Sequence, residues 1–272
     1  MIDQKSFLYL ELECKDGKTY IKDCYAKSPL KIAKSLYLDD SGEAFIFIMN
    51  PSGGLLQNDN YDIKINLSSK SEAFITTQSA TKIYKMREKE AYLKESFHLG
   101  KNALLEYFPD PYIPFAGSKF RTETDIKIEK GATLFMGEII FPGRFERGET
   151  FLYDYFERKT KIFYENKLIF YDNVALRPEN NLNNICIFEK YSFYGQLICT
   201  SEKIDRTLSD KIHFILQNCN SVKASSSLFH DIGIIVRMLG FNNLDINETI
   251  QKIWTILRNT LLNRPALKIR KY

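Results

Sequence analysis

The 272 residues contain one tryptophan, three histidines and five cysteines, and each scarcity removes a class of function. The cysteines (Cys14, Cys24, Cys186, Cys199, Cys219) are odd in number and form no CxxC pair, which suits neither a disulfide framework nor a zinc knuckle. Reduced thiols point instead to a cytoplasmic protein. His98, His213 and His230 stand far apart, with no HxH or HxxxH spacing, so no compact metal cage is written along the chain. Long apolar runs are missing too: nothing approaches the roughly 18 apolar residues of a spanning helix. The start, Met1-Ile2-Asp3-Gln4-Lys5, has no basic region followed by an apolar stretch. A concentrated basic stripe is also lacking: 38 basic and 34 acidic side chains leave a net charge of +4, and the densest basic stretch is Lys268–Tyr272. The expectation is a protein with neither a membrane nor a nucleic-acid partner.

What the chain does have is aromatic and β-branched residues, with 20 Phe and 16 Tyr. These side chains suit a pleated, half-buried surface. Residues 61–67 alternate, with Tyr61, Ile63, Ile65 and Leu67 on one face and Asp62, Lys64 and Asn66 on the other, the period of a strand. Similar segments flank turn dipeptides: 7–14 and 19–25 around Asp16-Gly17, 124–129 and 132–140 around Lys130-Gly131, 160–172 around Glu165-Asn166, and 187–200 around Tyr194-Gly195. Each is predicted to be a hairpin. The regular spacing predicts an all-β body over 1–220, a β-sandwich or a β-helical layered arrangement of many short strands. Two C-terminal α-helices are predicted to pack on it over 225–263, within a single 1–272 domain. The first would be capped by Ser225-Ser226-Ser227, carry Phe229, Ile232, Val236 and Leu239, and stop at Gly240. The second would open on Asp245 with Glu248 as a capping box. It would bury Ile246, Ile250, Ile253, Trp254, Leu257 and Leu261, and Pro265 would prevent its continuation.

Candidate chemistry is sparse. Ser52-Gly53-Gly54 can aim amides at an anion, yet it lacks the GxxxxGK[ST] spacing and reads as a tight turn between strands. Ser79, His98 and Asp110 can be assembled into a hydrolase trio only on paper, since no GxSxG elbow is present. In Pro142-Gly143-Arg144-Phe145-Glu146-Arg147-Gly148-Glu149, glycines bracket Arg and Glu, and a bidentate Arg–carboxylate pair would brace the turn.

Four blocks in order carry a resemblance: Asn50-Pro51-Ser52-Gly53-Gly54-Leu55-Leu56-Gln57-Asn58-Asp59, then Thr76-Thr77-Gln78-Ser79-Ala80-Thr81-Lys82, then Leu105-Glu106-Tyr107-Phe108-Pro109-Asp110-Pro111-Tyr112-Ile113-Pro114-Phe115, then Pro142-Gly143-Arg144 with Gly148-Glu149. Together with Val236–Gly240 and Trp254–Arg258 they resemble the UreD (UreH) family of urease accessory proteins over most of the chain. Two departures stand out: Asn58 replaces the glycine that usually precedes Asp59, and the tail Lys268-Ile269-Arg270-Lys271-Tyr272 replaces an Arg-Ile-Trp ending. Asn tolerates a left-handed backbone better than other side chains, so position 58 is predicted to adopt one.

The resemblance implies a non-enzymatic partner of UreF, of the GTPase UreG and of the apo-urease subunits. It also implies that no cofactor is tightly bound and that nickel passes through in transit. A divalent ion crossing a protein interior needs oxygen ligands that bind weakly enough to release it. Asp59, Glu138 and Glu149 are therefore the expected metal-route residues, with Thr77 and Gln78 as route or docking residues and Lys82 and Arg144 orienting the acids. The alternative is a stand-alone β-sandwich that binds a small ligand or acts as a hydrolase.

Overall fold

A computed structural model of the chain describes residues 5–267, so Met1–Gln4 and the tail Lys268–Tyr272 lie outside it. In chain order the strands are β1 (Lys5–Lys15), β2 (Lys18–Ala26), β3 (Lys31–Ile32), β4 (Ala44–Met49), β5 (Asn60–Leu67), β6 (Glu72–Gln78), β7 (Thr81–Ile83), β8 (Ala91–Leu99) and β9 (Leu104–Tyr107). There follow β10 (Tyr112–Pro114), β11 (Lys119–Ile128), β12 (Thr133–Ile140), β13 (Tyr155–Tyr164), β14 (Lys167–Leu176) and β15 (Phe193–Thr200). Helix α1 (Arg206–Gln217), strands β16 (Val222–Phe229) and β17 (Gly233–Gly240) and helix α2 (Asn243–Leu257) follow.

The strands form two layers. A seven-stranded sheet has the order β14-β13-β11-β8-β5-β1-β2, and a second sheet has the order β16-β17-β15-β12-β9-β6-β4-β3, with β7 and β10 attached at its side. From β4 to β13 the chain alternates between the layers, and sequential visits to the same layer pair in parallel, β5 with β8, β8 with β11, and β4 with β6. The centre is therefore a solenoid, of the β-helical layered kind the strand spacing predicts. Antiparallel hairpins β1-β2, β13-β14 and β16-β17 finish its ends.

Burial follows from the layering. In the first sheet one face meets the second sheet and the other meets solvent, so β8 alternates between buried and half-buried along its whole length. The middle of the second sheet is covered on both faces, and all eight residues of β12 and of β15 are buried, while the edge strand β16 alternates with exposed residues. One apolar core lies between the sheets around Leu10, Ile65, Phe120 and Ile162. The other lies between the second sheet and the helices, around Phe74, Leu197, Val236 and Trp254.

Two of the predicted hairpins are found, at Asp16-Gly17 and at Glu165-Asn166, where both turn residues have positive φ. The other two are not. The Lys130-Gly131 turn leads from β11 in one sheet to β12 in the other and is a corner of the solenoid. It stacks on equivalent corners: Lys70, Asn102 and Gly131 all have positive φ, Lys70 N donates to Lys101 O (2.9 Å) and Asn102 N donates to Lys130 O (3.1 Å). A left-handed turn residue reverses the chain equally well into a neighbouring strand or into the facing layer. Tyr194-Gly195 lies inside β15, where a Cβ on Gly195 would stand 2.5 Å from Ile246 Cγ2 and 2.7 Å from Met238 Cγ. That glycine permits close approach of α2 and makes no turn.

Two helices are present in the C-terminal part, but the first is not at 225–240. Those residues form the β16-β17 hairpin, turning at His230 and Asp231. Because β17 is covered on both faces apart from the exposed Arg237, Ile234, Ile235, Val236 and Met238 supply apolar residues in both phases of the strand, and a helical spacing can be drawn through them. The first helix is α1, capped by Asp205, which accepts from Leu208 N (2.8 Å), and it buries Leu208, Ile212 and Leu216. The predicted stripe is buried, Ile246, Ile250, Ile253, Trp254 and Leu257 in α2 and Leu261 in the π-helical turn Arg258–Leu262 that continues it. Its cap is Asn242, three residues before Asp245, whose amide it accepts at 2.9 Å.

A charged clip fastens α2 to the second sheet. Arg258, fully buried, donates to Glu106 of β9 at 2.7 Å and to Glu43 at 3.2 Å, while Trp254 Nε1 donates to the other Glu106 oxygen. Removing one partner of such a group leaves charge buried without compensation, at a cost of about 3–5 kcal/mol. Arg258→Ala is thus expected to lower unfolding stability by that order in urea denaturation, and Arg258→Lys by less.

Candidate functional site

Strand β8 reads Ala91, Leu93, Glu95, Phe97, Leu99 along its inward face, so period-2 alternation places one carboxyl in an otherwise apolar row. Strand register extends that position sideways. Glu95 pairs with Thr124 of β11, Thr124 with Thr160 of β13, and Thr160 with Asp172 of β14. At about 4.8 Å between strands, this polar row crosses three strand gaps of the buried face. The second sheet carries its own row, Glu138 of β12 beside Gln196 of β15, Gln196 beside Arg237 of β17, and Arg237 beside Ser225 of β16.

The rows meet at Arg158, an inward residue of β13 with no exposed surface. Its guanidinium donates to Glu138 across the layers, to Asp172 at 2.6 Å and to Gln196 at 3.0 Å. Tyr194 donates to the same Gln196 oxygen (2.7 Å), and half-exposed Arg237 donates to Asp172 (2.7 Å), so the network ends at the molecular surface. At the other end, Glu95 accepts from the Tyr107 hydroxyl and from Thr124 (3.0 Å). Burial pushes the Glu95 carboxyl above its ordinary value, and the two hydroxyls only partly oppose that. Tyr112 lies between the ends, its phenol raised well above the usual value, first by burial and then by Glu95, with Arg158 opposing.

A cavity of about 50 Å³ opens beside Glu95 and Tyr107 and reaches outward to Asn50, Gln78 and Ser79. Its outer rim is built from the turn at 50–59 and from the end of β6. Asn50 Oδ1 accepts from Ser52 N (3.1 Å), Gly53 and Gly54 have φ of 81° and 154°, and Asp59 Oδ2 accepts from Leu56 N (2.8 Å). Asn58 is left-handed, with φ 68°, as its place in the turn predicts.

The seven residues expected to act together are distributed over four places. Thr77 and Gln78 line the cavity, and Thr77 Oγ1 accepts from Asp110 N at 2.7 Å. Glu138 lies in the inter-sheet network on Arg158. Asp59 caps its own turn, with its carboxyl pushed up by burial and held back by the Leu56 amide. Glu149 is gripped at both oxygens by Arg144, which lowers its carboxyl below the ordinary value and supplies the bidentate brace. Arg144 and Lys82 stand together on a separate apolar groove with Phe115, Phe141 and Phe193. Glu95 and Arg158 did not emerge from the sequence. The signal was a charged residue in the apolar phase of an alternating strand.

The hydrolase trio does not converge. His98 lies on the outer face of the first sheet, with Nε2 3.3 Å from Glu129, whereas Ser79 is on the cavity rim. Among the described residues no group of three or more His, Cys, Asp or Glu side chains is placed to hold a metal ion, and no helix is long and apolar enough to cross a membrane.

The architecture is that of a two-layered β-solenoid backed by helices, with polar rows crossing its interior. Within that class the chain belongs to the family described as UreD urease accessory protein, whose family model matches residues 4–271. Relatives named urease accessory protein UreD include one from Bacillus cereus, 33% identical over 97% of each chain. Another, from Acetivibrio thermocellus, is 34% identical over 95% of this chain and 97% of its own. A third, from Lachnoclostridium phytofermentans, is 30% identical over the full length of both.

The burial of Glu95 has a testable sign. Its folded carboxyl prefers the proton, so above the usual glutamate value near 4.5 the unfolded chain gains by ionising and folding stability falls. Below that value both states are protonated and the difference closes. Glu95→Gln, which mimics the protonated acid, is expected to melt above wild type at pH 7, by about 2–4 °C per kcal/mol relieved. The gap should shrink towards pH 4 in calorimetry.

Proposed function

We propose that this chain is a non-enzymatic scaffold and nickel conduit in urease maturation. In this reading it binds UreF and, through it, the GTPase UreG, and docks on apo-urease in the cytoplasm. The observation that carries the conduit is a series of polar groups set in an apolar interior: a cavity rimmed by Asn50, Gln78 and Ser79, then Glu95, then Thr124, Thr160 and Asp172 in register across the first sheet. Each such group costs desolvation free energy that its hydrogen bonds must offset.

The donors suit a cargo. Carboxylates, hydroxyls and amide oxygens replace hydration around a divalent ion without the tight hold of a His or Cys cage. Nickel is cargo here, so a resident cofactor is not required. The names of the relatives support the urease pathway, and the blocks shared with the family supply the rim of the cavity.

Not every residue tests this equally. Asp59→Ala would unmake a turn, and Glu138→Ala would leave Arg158 with one counter-charge fewer, so either could abolish activation through folding alone. Gln78 is exposed on the rim, and Gln78→Trp obstructs the entrance without touching the core. In cells expressing urease with its accessory proteins, the Gln78→Trp chain is expected to co-purify with UreF as wild type does while urease loses most of its nickel. Full nickel content in urease would remove the conduit and leave the scaffold.

A further inference from the structure

Around Arg258 the acids outnumber the base. Glu106 of β9 and Glu43, just before β4, have no exposed surface, and both accept from the same nitrogen, Arg258 Nη1, at 2.7 and 3.2 Å. Asp39 adds a third carboxylate 3.8 Å from Arg258 Nη2. The neighbouring cations are engaged elsewhere: Arg264 holds Glu72 at both oxygens, and Lys203 donates to the Leu261 carbonyl. Cys199 of β15, also without exposed surface, stays a neutral thiol, since burial first and then Glu106 push it up. With Glu43 and Glu106 both ionised, one guanidinium would face two carboxylates in a site closed to water. In that arrangement like charges oblige one of the two to keep its proton.

The hydrogen bonds say which one. Glu106 takes Arg258 on one oxygen and Trp254 Nε1 on the other, so both of its oxygens are served as a carboxylate requires. Glu43 takes only the longer Arg258 bond, on Oε2, and its Oε1 is buried with no donor. An acceptor in that position carries its full desolvation cost. A proton on Glu43 reverses the balance, because the acid O–H can donate to the adjoining Glu106 carboxylate. The Glu43 carboxyl is accordingly pushed well above its ordinary value, first by burial and then by Glu106, with Arg258 opposing. The pair also sits where the helix changes: α2 ends at Leu257, and Arg258 opens the π-helical turn Arg258–Leu262. Single π turns are rare and recur at functional sites.

We propose that Glu43 and Glu106 share one proton on Arg258, resident on Glu43, and that this proton is a pH-sensitive latch on the charged clip of α2. While it is present the end of α2 is fastened to the second sheet. Its loss to solvent as pH rises sets two carboxylates against each other and loosens the attachment of Trp254. The latch belongs to the fold and does not depend on the conduit reading. Its linkage has one sign. Below the ordinary glutamate value near 4.5, folded and unfolded chains both hold the proton. Above it the unfolded chain releases the proton and the folded chain does not, so stability falls with rising pH until Glu43 ionises in the folded chain as well.

Glu95→Gln serves as the reference chain for the test, because it removes the other neutral buried carboxyl. Its infrared spectrum at neutral pH is expected to show the carbonyl band of a protonated carboxylic acid, which the added substitution Glu43→Gln removes. Glu43→Gln keeps a donor towards Glu106, the amide N–H, and therefore folds. Its stability in urea should lose the factor of about ten per pH unit in the folded-to-unfolded ratio that one proton contributes above the glutamate value. Glu106→Gln relieves the crowding, so Glu43 should ionise on Arg258 and the band should vanish there too. Trp254, the single tryptophan, reports the latch. In the reference chain its emission should move to longer wavelength and its quenching by acrylamide should rise as the band disappears on titration to about pH 10, with far-ultraviolet circular dichroism unchanged. Glu43→Gln should show neither change. A reference chain without the acid band, or a band that survives Glu43→Gln or Glu106→Gln, overturns the shared proton. A Trp254 signal that follows pH alike in the reference and Glu43→Gln chains, or one that stays fixed throughout the titration, overturns the latch.

Discussion

The centre of the second sheet is buried on both faces, and most of the architecture follows from that. Its central strands must be mostly apolar on both sides, and all eight residues of β12 and of β15 are withdrawn from solvent. A layer is needed on each side. The first sheet supplies one, through a solenoid path that carries the chain back and forth between the layers. Helices α1 and α2 supply the other, and the Arg258–Glu106–Glu43 clip with Trp254 holds the second helix in place. Without that helical layer Phe74, Val236 and Leu197 would face water, at about 1.5–3 kcal/mol for each large side chain exposed.

Against this apolar demand the interior carries a charged network. Arg158 serves two carboxylates and an amide from three strands and both layers, so each charge is matched where it is desolvated. Register makes the arrangement possible. Parallel strands repeat the same inward phase, and a polar residue at one position of β8 finds polar neighbours at the matching positions of β11 and β13. The result is a line of oxygen atoms across a core that otherwise excludes water, ending in the half-exposed Arg237.

Local geometry was legible where it is decided locally. Asp16-Gly17 and Glu165-Asn166 make hairpins because the strands beside them pair with each other, and Asn58 takes the left-handed backbone its turn requires. The braced Arg144–Glu149 turn was readable for the same reason, since both partners lie within five residues. Lys130-Gly131 has the same local signature as a hairpin, yet it turns the chain into the opposite layer. Ile234, Ile235, Val236 and Met238 fit a helical stripe because a strand covered on both sides carries apolar residues in both phases, with only Arg237 breaking the run. Glu95 and Arg158 are unremarkable in a linear reading, because a charge looks alike on the outer and the inner phase until the buried face is known.

By itself, then, the amino-acid sequence determined the β-rich class, the apolar stripe of α2, the tight turns and the family, since these rest on residue types, short-range periodicity and ordered motifs. The tertiary structure alone decided which turns are corners, which apolar run is a strand, and which polar residues share an interior. Those outcomes depend on contacts between positions as distant as Glu43 and Arg258, and on a strand register that no local pattern encodes.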